Sequence, residues 1–205
     1  MKLFFHCCDG SSNCYVLGSE APEEAAAIII DPAVVDESIL TFIENNNYKL
    51  RGVLVTHDHI RHVRGLQTLT RIYDTEIFAI NPRIREHKTT MLRDGQRLTV
   101  GPFTIEVLST PGHSSDSAVF RVERLLFTGD TLSAGLVGRT ASAYGTTVQM
   151  MALRSKILSL PGDFTILPAH GPPSTLEAER RYNVGINTYD ENRGHRPKFK
   201  LELLD

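Results

Sequence analysis

Tryptophan is absent, and aromatic residues make up only 7 % of the chain. Cysteine is scarce: Cys7, Cys8 and Cys14 all lie near the N-terminus. An odd, low count excludes a disulfide framework and points to a reducing compartment. Adjacent residues point to opposite sides of a strand, so Cys7 and Cys8 are poor candidates for a shared ligand role. All three cysteines are expected to serve as small buried hydrophobes. Neither sign of charge dominates, since 22 Lys and Arg stand against 24 Asp and Glu. That balance argues against a nucleic-acid binder with a basic face. Long apolar runs are missing as well. No stretch approaches the roughly 20 residues of a membrane span. Leu3 to Phe5 is too short for a secretory core. The expectation is a cytoplasmic protein with a small-molecule substrate, no nucleic-acid partner and no membrane; the oligomeric state is not legible.

What is present is ordinary for a globular fold: 41 % hydrophobic and 22 % charged residues over 205 positions, a length that fits one large domain. Strand-like and helix-like segments alternate. Ala26 to Ile30 is an apolar strand closed by Asp31-Pro32. Val35, Ile39, Phe42 and Ile43 fall at helical spacing, and Asn45-Asn46-Asn47 ends the pattern. Arg51 to Thr56 reads as a strand, Val63 to Tyr73 as one helix, and Glu76 to Ile80 as a strand. Asn81-Pro82 is expected to open a short helix. Four strands follow, at Arg97 to Val100, Phe103 to Leu108, Ala118 to Val122 and Leu125 to Thr128. Thr147 to Leu160 reads as a helix and Thr165 to Leu167 as a strand. Ser174 to Tyr182 is a helix with Ser174 as N-cap and Glu177 completing a capping box. The domain is expected to span residues 1–189, with 190–205 as a polar tail.

Chemistry concentrates at strand ends. Thr56-His57-Asp58-His59-Ile60-Arg61-His62 follows a buried strand, and three histidines in six positions are hard to explain by packing. Imidazoles so crowded must stay neutral together, a condition that a metal ion satisfies. Thr110-Pro111-Gly112-His113, Thr128-Gly129-Asp130 and Pro168-Ala169-His170-Gly171-Pro172 each place a ligand-type residue directly after a strand. One such turn is weak evidence; four in this order indicate a metal site.

His-x-His-x-x-His, Gly-His-Ser, Thr-Gly-Asp-Thr and Pro-Ala-His-Gly-Pro together resemble the metallo-β-lactamase superfamily, from Ile29 to about Tyr182. Phe127 to Thr131, Val137 to Thr140 and His170 to Asn183 look most like its glyoxalase II branch, the hydroxyacylglutathione hydrolases. The resemblance implies an α/β fold, an αββα sandwich of two mixed β-sheets with helices on the outer faces. It implies a first metal site at His57, His59 and His113, a second at His62 and His170, and Asp130 bridging both. Asp31 matches an early aspartate that orients the histidine loop. Asp58 is expected to cap a helix or support the loop rather than to catalyse. Arg139 and Thr140 match by resemblance alone, and His6, His87 and His195 belong to no motif.

One position departs from the family. Its motif is His-x-His-x-Asp-His, with the aspartate a ligand of the second metal; here that position is Arg61. At an assumed ~5 Å and an effective dielectric of about 20, a guanidinium and a divalent ion repel by roughly 7 kcal/mol. The expectation is one ion, in the first site, with His62 and His170 freed for water or substrate.

Three imidazoles and a carboxylate suit zinc, and also iron or manganese. Zinc can lower the pKa of a bound water to about 7, giving hydroxide at neutral pH. The reading is a metallo-hydrolase acting on an activated acyl bond, with a thioester implied by the branch resemblance. Asp130, Arg61 and His170 are its candidate catalytic residues, Arg61 as a cation for a developing oxyanion or a substrate carboxylate. Because glyoxalase II enzymes carry a longer helical region after the last histidine, the glutathione anchor is expected to be absent or different. Two alternatives stand beside it. A mononuclear iron persulfide dioxygenase would use His57, His113 and Asp130; a non-catalytic binding protein would hold metal without turnover.

Overall fold

The computed structural model describes residues 1–8, 12–20 and 24–191. Most of the polar tail, 192–205, lies outside the described residues, as does His195. Two six-stranded sheets form the centre. The first is ordered β1 (Lys2–Cys8), β2 (Ser12–Gly18), β3 (Ala26–Ile30), β4 (Lys49–Leu54), β5 (Glu76–Ala79) and β8 (Thr90–Met91). The second is ordered β16 (Ser174–Thr175), β15 (Thr165–Pro168), β12 (Leu125–Gly129), β11 (Ala118–Val122), β10 (Phe103–Ser109) and β9 (Arg97–Val100). Both are mixed: β3, β4, β5 and β8 run parallel, as do β12 and β15, and the other pairings are antiparallel.

Two-residue alternation sorts the side chains into three apolar layers. Tyr15, Leu17, Ile28, Ile30 and Leu54 meet Ile105, Val107, Phe120, Phe127 and Leu167 between the sheets. Their neighbours Val16, Ala27, Ile29, Val53 and Val55 face outward, against α1 (Glu37–Asn45) and α3 (Leu66–Ile72). Leu108, Val119, Leu126 and Ile166 face the other way, against α4 (Ala143–Ala152), α5 (Leu176–Tyr182) and α6 (Val184–Glu191). This is the αββα sandwich expected from the sequence. Each fully buried aliphatic or aromatic side chain is worth about 1.5–3 kcal/mol, so the strands that lead into the histidine turns are firmly held.

Several local expectations need correction. The helix expected over Val63 to Tyr73 is two: α2 (Ile60–Val63) and α3, parted at Arg64-Gly65. Gly65 donates its backbone N–H to Pro32 O at 2.8 Å, and a Cβ there would lie 2.6 Å from that oxygen. The close approach needs glycine and turns the helix. After Asn81-Pro82 there is no helix but a small hairpin, β6 (Arg83–Ile84) and β7 (His87–Lys88), whose turn holds Arg85 at φ 53°. α4 starts earlier than expected because Ser142 caps it, and it continues as a wider-wound π-helical turn over Leu153–Leu158. Thr175, not Ser174, caps α5 by accepting from Ala178 N; Ser174 lies in β16 and donates its hydroxyl to Glu179. Two short strands remain, β13 (Leu132–Ser133) and β14 (Leu136–Val137), forming a hairpin just after Asp130. No helix among the described residues is long and apolar enough to cross a membrane.

Candidate metal centre

The four histidine and aspartate turns open on one rim of the sandwich, at the ends of β4, β10, β12 and β15. The structure brings all six candidate ligands together in two groups. His57, His59, His113 and Asp130 form the first; His62, Asp130 and His170 form the second, which shares the carboxylate. In the first, His59 Nδ1 lies 2.9 Å from His57 Nε2 and 3.1 Å from His113 Nε2. Asp130 Oδ2 lies 3.3 Å from His113 Nε2 and 3.8 Å from His57 Nε2. In the second, Asp130 Oδ1 is 3.6 Å from His62 Nε2 and 3.4 Å from His170 Nε2.

The outer atoms of the rings decide which inner atoms carry lone pairs. His113 Nδ1 lies 2.7 Å from the carbonyl oxygen of Arg139, which can only accept, so Nδ1 carries the proton and Nε2 the lone pair. Thr56 donates its hydroxyl to Asp31 Oδ2 at 2.7 Å and therefore accepts from His57 Nδ1 at 3.1 Å, which again frees Nε2. His62 Nδ1 donates to Asp31 Oδ2 at 2.9 Å. Lone pairs and an anionic carboxylate thus converge on one small volume. Asp130 Oδ1 is buried there without a hydrogen bond. A divalent cation is the group that such a set fits.

The electrostatics agree. Burial, then the charge of His62, lowers the pKa of His57 to about 3. Burial also lowers His59, with help from His113 and His62. His62 goes the other way: burial alone would lower it, but Asp31 and Asp130 raise it to about 10. Burial pushes Asp130 up, and the nearness and charge of His62 outweigh this, holding it well below the ordinary carboxylate range. A proton on His62 therefore compensates Asp130 when no cation does.

Local folding explains the placement. Asp31 ends β3 at φ 49°, a left-handed conformation uncommon outside glycine. That turn aims its carboxylate across to β4, where it also accepts from Thr56 N at 2.8 Å. Gly129 has φ 52°, and a Cβ there would lie 2.5 Å from Thr56 Oγ1, so the Gly-Asp turn can approach the histidine loop only with glycine.

Other residues contribute that were not singled out in the sequence. Thr56 relays Asp31 to His57. Asp116 accepts from Asp58 N, Asn81 Nδ2 and Ser114 Oγ, tying the first histidine loop to the His113 turn. Asn13 donates from its backbone to Ala169 O, and from Nδ2 to Pro168 O and Gly171 O; Tyr15 donates its hydroxyl to Pro168 O. Together they hold the His170 turn. No motif marks them, because they act across the sheets.

Asp58 does not cap a helix. Its carboxylate pairs with Arg85 at 3.0 Å, and the N-cap position of α2 is His59, which makes no side-chain cap. Arg61 is exposed, next to the buried His62. His62 and His170 still face Asp130, so a three-donor group persists despite the arginine. Arg139 contributes its backbone carbonyl to His113, and its exposed side chain borders a groove of about 590 Å³ between β14, α4 and α6. His87 lies 3.4 Å from Glu86, and His6 pairs with Asp36 at 2.7 Å.

The sequence profile of the metallo-beta-lactamase superfamily matches residues 9–182. The chain belongs to that superfamily. It is similar to an uncharacterized protein of Mycobacterium tuberculosis, 31 % identical over 83 % of this chain and 91 % of the relative. It is also similar to the hydroxyacylglutathione hydrolase of Idiomarina loihiensis, at 32 % identity, covering 80 % of this chain but only 64 % of the hydrolase. Among solved structures, ETHE1 from Myxococcus xanthus superposes with a TM-score of 0.78 over 96 % of this chain and 92 % of that one, at 24 % identity. That likeness shows the fold.

Proposed function

We propose that this protein is a metal-dependent hydrolase of activated acyl bonds, with a small-molecule thioester as substrate. The observation that carries the reading is the convergence of one ring nitrogen each from His57, His59 and His113 on Asp130, whose second oxygen is buried without a hydrogen bond. A divalent ion held there, zinc first among the candidates, supplies a Lewis acid and a water of lowered pKa. We expect this four-donor group to fill before the three-donor group of His62, Asp130 and His170.

The remaining work falls to the chain. Asp130 holds its carboxylate where both groups meet and orients an attacking water. With only the first group filled, His170 stands 3.4 Å from Asp130 and is in position to give a proton from Nε2 to the leaving thiolate. The groove lined by Val137, Arg139, Met150 and Tyr189 takes one end of the substrate, apolar along its floor and cationic at its rim. Arg61, exposed beside the centre, offers a second cation to a substrate carboxylate.

The similarity to a hydroxyacylglutathione hydrolase supports a thioester over other acyl bonds. The test is elemental analysis of protein purified without added metal, followed by turnover of S-lactoylglutathione and simpler acyl thioesters. We expect one tightly bound equivalent and thiol release that stops on chelation. Tight metal binding without thiol release would sink the hydrolase reading and leave a binding protein. A second reading rests on the 2-His-1-carboxylate composition of the His62, Asp130 and His170 group, a set that suits non-haem iron; His57, His113 and Asp130 offer the same composition. Bound iron with oxygen uptake on glutathione persulfide would favour it.

A further inference from the structure

Outside the metal centre, the chemistry-bearing side chains gather on the outer face of β1 and β2. His6 and Cys8 are two residues apart on β1, and Cys14 stands opposite His6 in the antiparallel register. All three therefore share one face. Cys8 and Cys14 both belong to the apolar layer under α1, only 2 % and 0 % exposed. They are diagonal neighbours in the β1–β2 register, and Cys8 donates its thiol to Val34 O at 3.6 Å. Next to them His6 forms an ion pair with Asp36 at 2.7 Å. Cys7 points the other way and is exposed. The expectation of three buried cysteines therefore fails at Cys7, which is exposed, and holds for Cys8 and Cys14.

We propose that Cys8 and Cys14 form a reversible redox site, closed to a disulfide by hydroperoxides, that adjusts the His170 turn. The Cys8 thiolate attacks one peroxide oxygen. An S–O bond forms, the O–O bond breaks, and hydroxide leaves with the thiol proton as water. The Cys14 sulfur then attacks the Cys8 sulfur. The S–S bond forms, the S–O bond breaks, and a second water leaves with the Cys14 proton. Two thiols lose two electrons in all, and the peroxide gains them.

The site favours this division of labour. The neighbouring Cys14 thiol lowers the Cys8 thiol to about 7 against the effect of burial, with help from Val34 and the charge of His6. Burial holds the Cys14 thiol well above its usual range, so it resolves rather than initiates. Cys8 occupies the last pair of the β1–β2 ladder, opposite Ser12, and ladder ends open at the lowest free-energy cost. A small peroxide needs no more than that.

Closing the bond also moves something. Diagonal neighbours on antiparallel strands lie about 7–8 Å apart, whereas a disulfide usually holds its Cα atoms within about 4.4–6.8 Å. The strands must draw together at Cys14. Its two neighbours, Asn13 and Tyr15, make the bonds that hold Pro168 to Gly171 around His170. Oxidation on the outer face therefore pulls on the turn at the inner rim.

The test is to treat the full chain with hydrogen peroxide and map its thiols and peptides by mass spectrometry, with hydrogen exchange at the Asn13 amide as a second readout. We expect a Cys8–Cys14 crosslink that dithiothreitol reverses. It should form equally in Cys7→Ser and be absent from Cys8→Ser and Cys14→Ser. We expect exchange at Asn13 to rise about tenfold on oxidation, because its bond to Ala169 O is stretched. A crosslink through Cys7 alone, or sulfinate at Cys8 with Cys14 still reduced, overturns the thiol pair. An unchanged Asn13 rate in crosslinked protein overturns the link to the His170 turn. None of these outcomes depends on which ion, if any, the centre holds.

Discussion

The two ligand groups share Asp130 and little else. The first has four donors, and its His57 and His113 rings are held from outside by a hydroxyl and a backbone carbonyl, both neutral. The second has three donors, and its His62 ring is held by the carboxylate of Asp31. Burial keeps His57 and His59 of the first group neutral with or without a cation. The second relies on a proton until a cation replaces it. Arg61 stands beside the second group, where its family has a carboxylate. The comparison teaches that two sites built from the same residue types can differ in what they demand of their occupant.

The largest expected effect comes from removing what the groups share. Asp130→Asn should lower turnover by more than about 100-fold, beyond the roughly 10–100-fold typical of residues that only support a ligand. Metal retained after dialysis against a chelator should fall in both groups. If metal content and turnover both survive, the convergence on Asp130 has no functional weight.

Asp31→Asn sharpens the contrast, because Asp31 bonds His62 directly and His57 only through Thr56. We expect affinity for a second ion to drop about 10–100-fold, with the first ion less affected. Lost bonds to Thr56 should also cost about 1–3 kcal/mol of stability. Titration with zinc followed by calorimetry, and chemical denaturation, measure the two effects. Equal losses in both groups would contradict the asymmetry.

Arg61→Asp should raise affinity for a second ion by about tenfold. That is far below what the bare repulsion of roughly 7 kcal/mol would give, since Arg61 is exposed and screened by solvent. Stoichiometry near two in the variant and near one in the parent would support it. Two equivalents in the parent would overturn the argument from Arg61.

A further effect concerns pH. In ion-free protein the folded-state pKa of His62 is raised from 6.5 to about 10. A raised value contributes stability that is complete below pH 6.5 and is lost as pH climbs towards 10. The melting temperature of ion-free protein should therefore fall across that range through this group. Loading the second group displaces the proton and should flatten the fall. A decline of equal size in His62→Gln would show that other groups cause it.

Much of this was readable in the amino-acid order. The apolar run from Ala26 to Ile30 and the short apolar segments of the later strands marked both sheets. The spacing of His57, His59 and His62, with the isolated turns at His113, Asp130 and His170, marked the six ligands. What stayed hidden was of two kinds. Long-range approaches left no local trace: Pro32 O splitting a helix at Gly65, or Asn13 reaching Pro168. Neighbouring turn-formers misled as well, since Asn81-Pro82 opens a hairpin and Thr175 rather than Ser174 caps α5. Cys8 and Cys14 show the same limit. Their partnership depends on the register of β1 against β2, and composition says nothing of register.

The anchor of His113 is a peptide oxygen, contributed by Arg139 irrespective of what side chain that position bears. Replacing the arginine would leave the imidazole's tautomer intact while altering the rim of the adjoining groove. On the proposed function, selectivity for one substrate over another can thus drift at this position without detuning the ion-binding apparatus. One residue serves both, through atoms that substitution can and cannot reach.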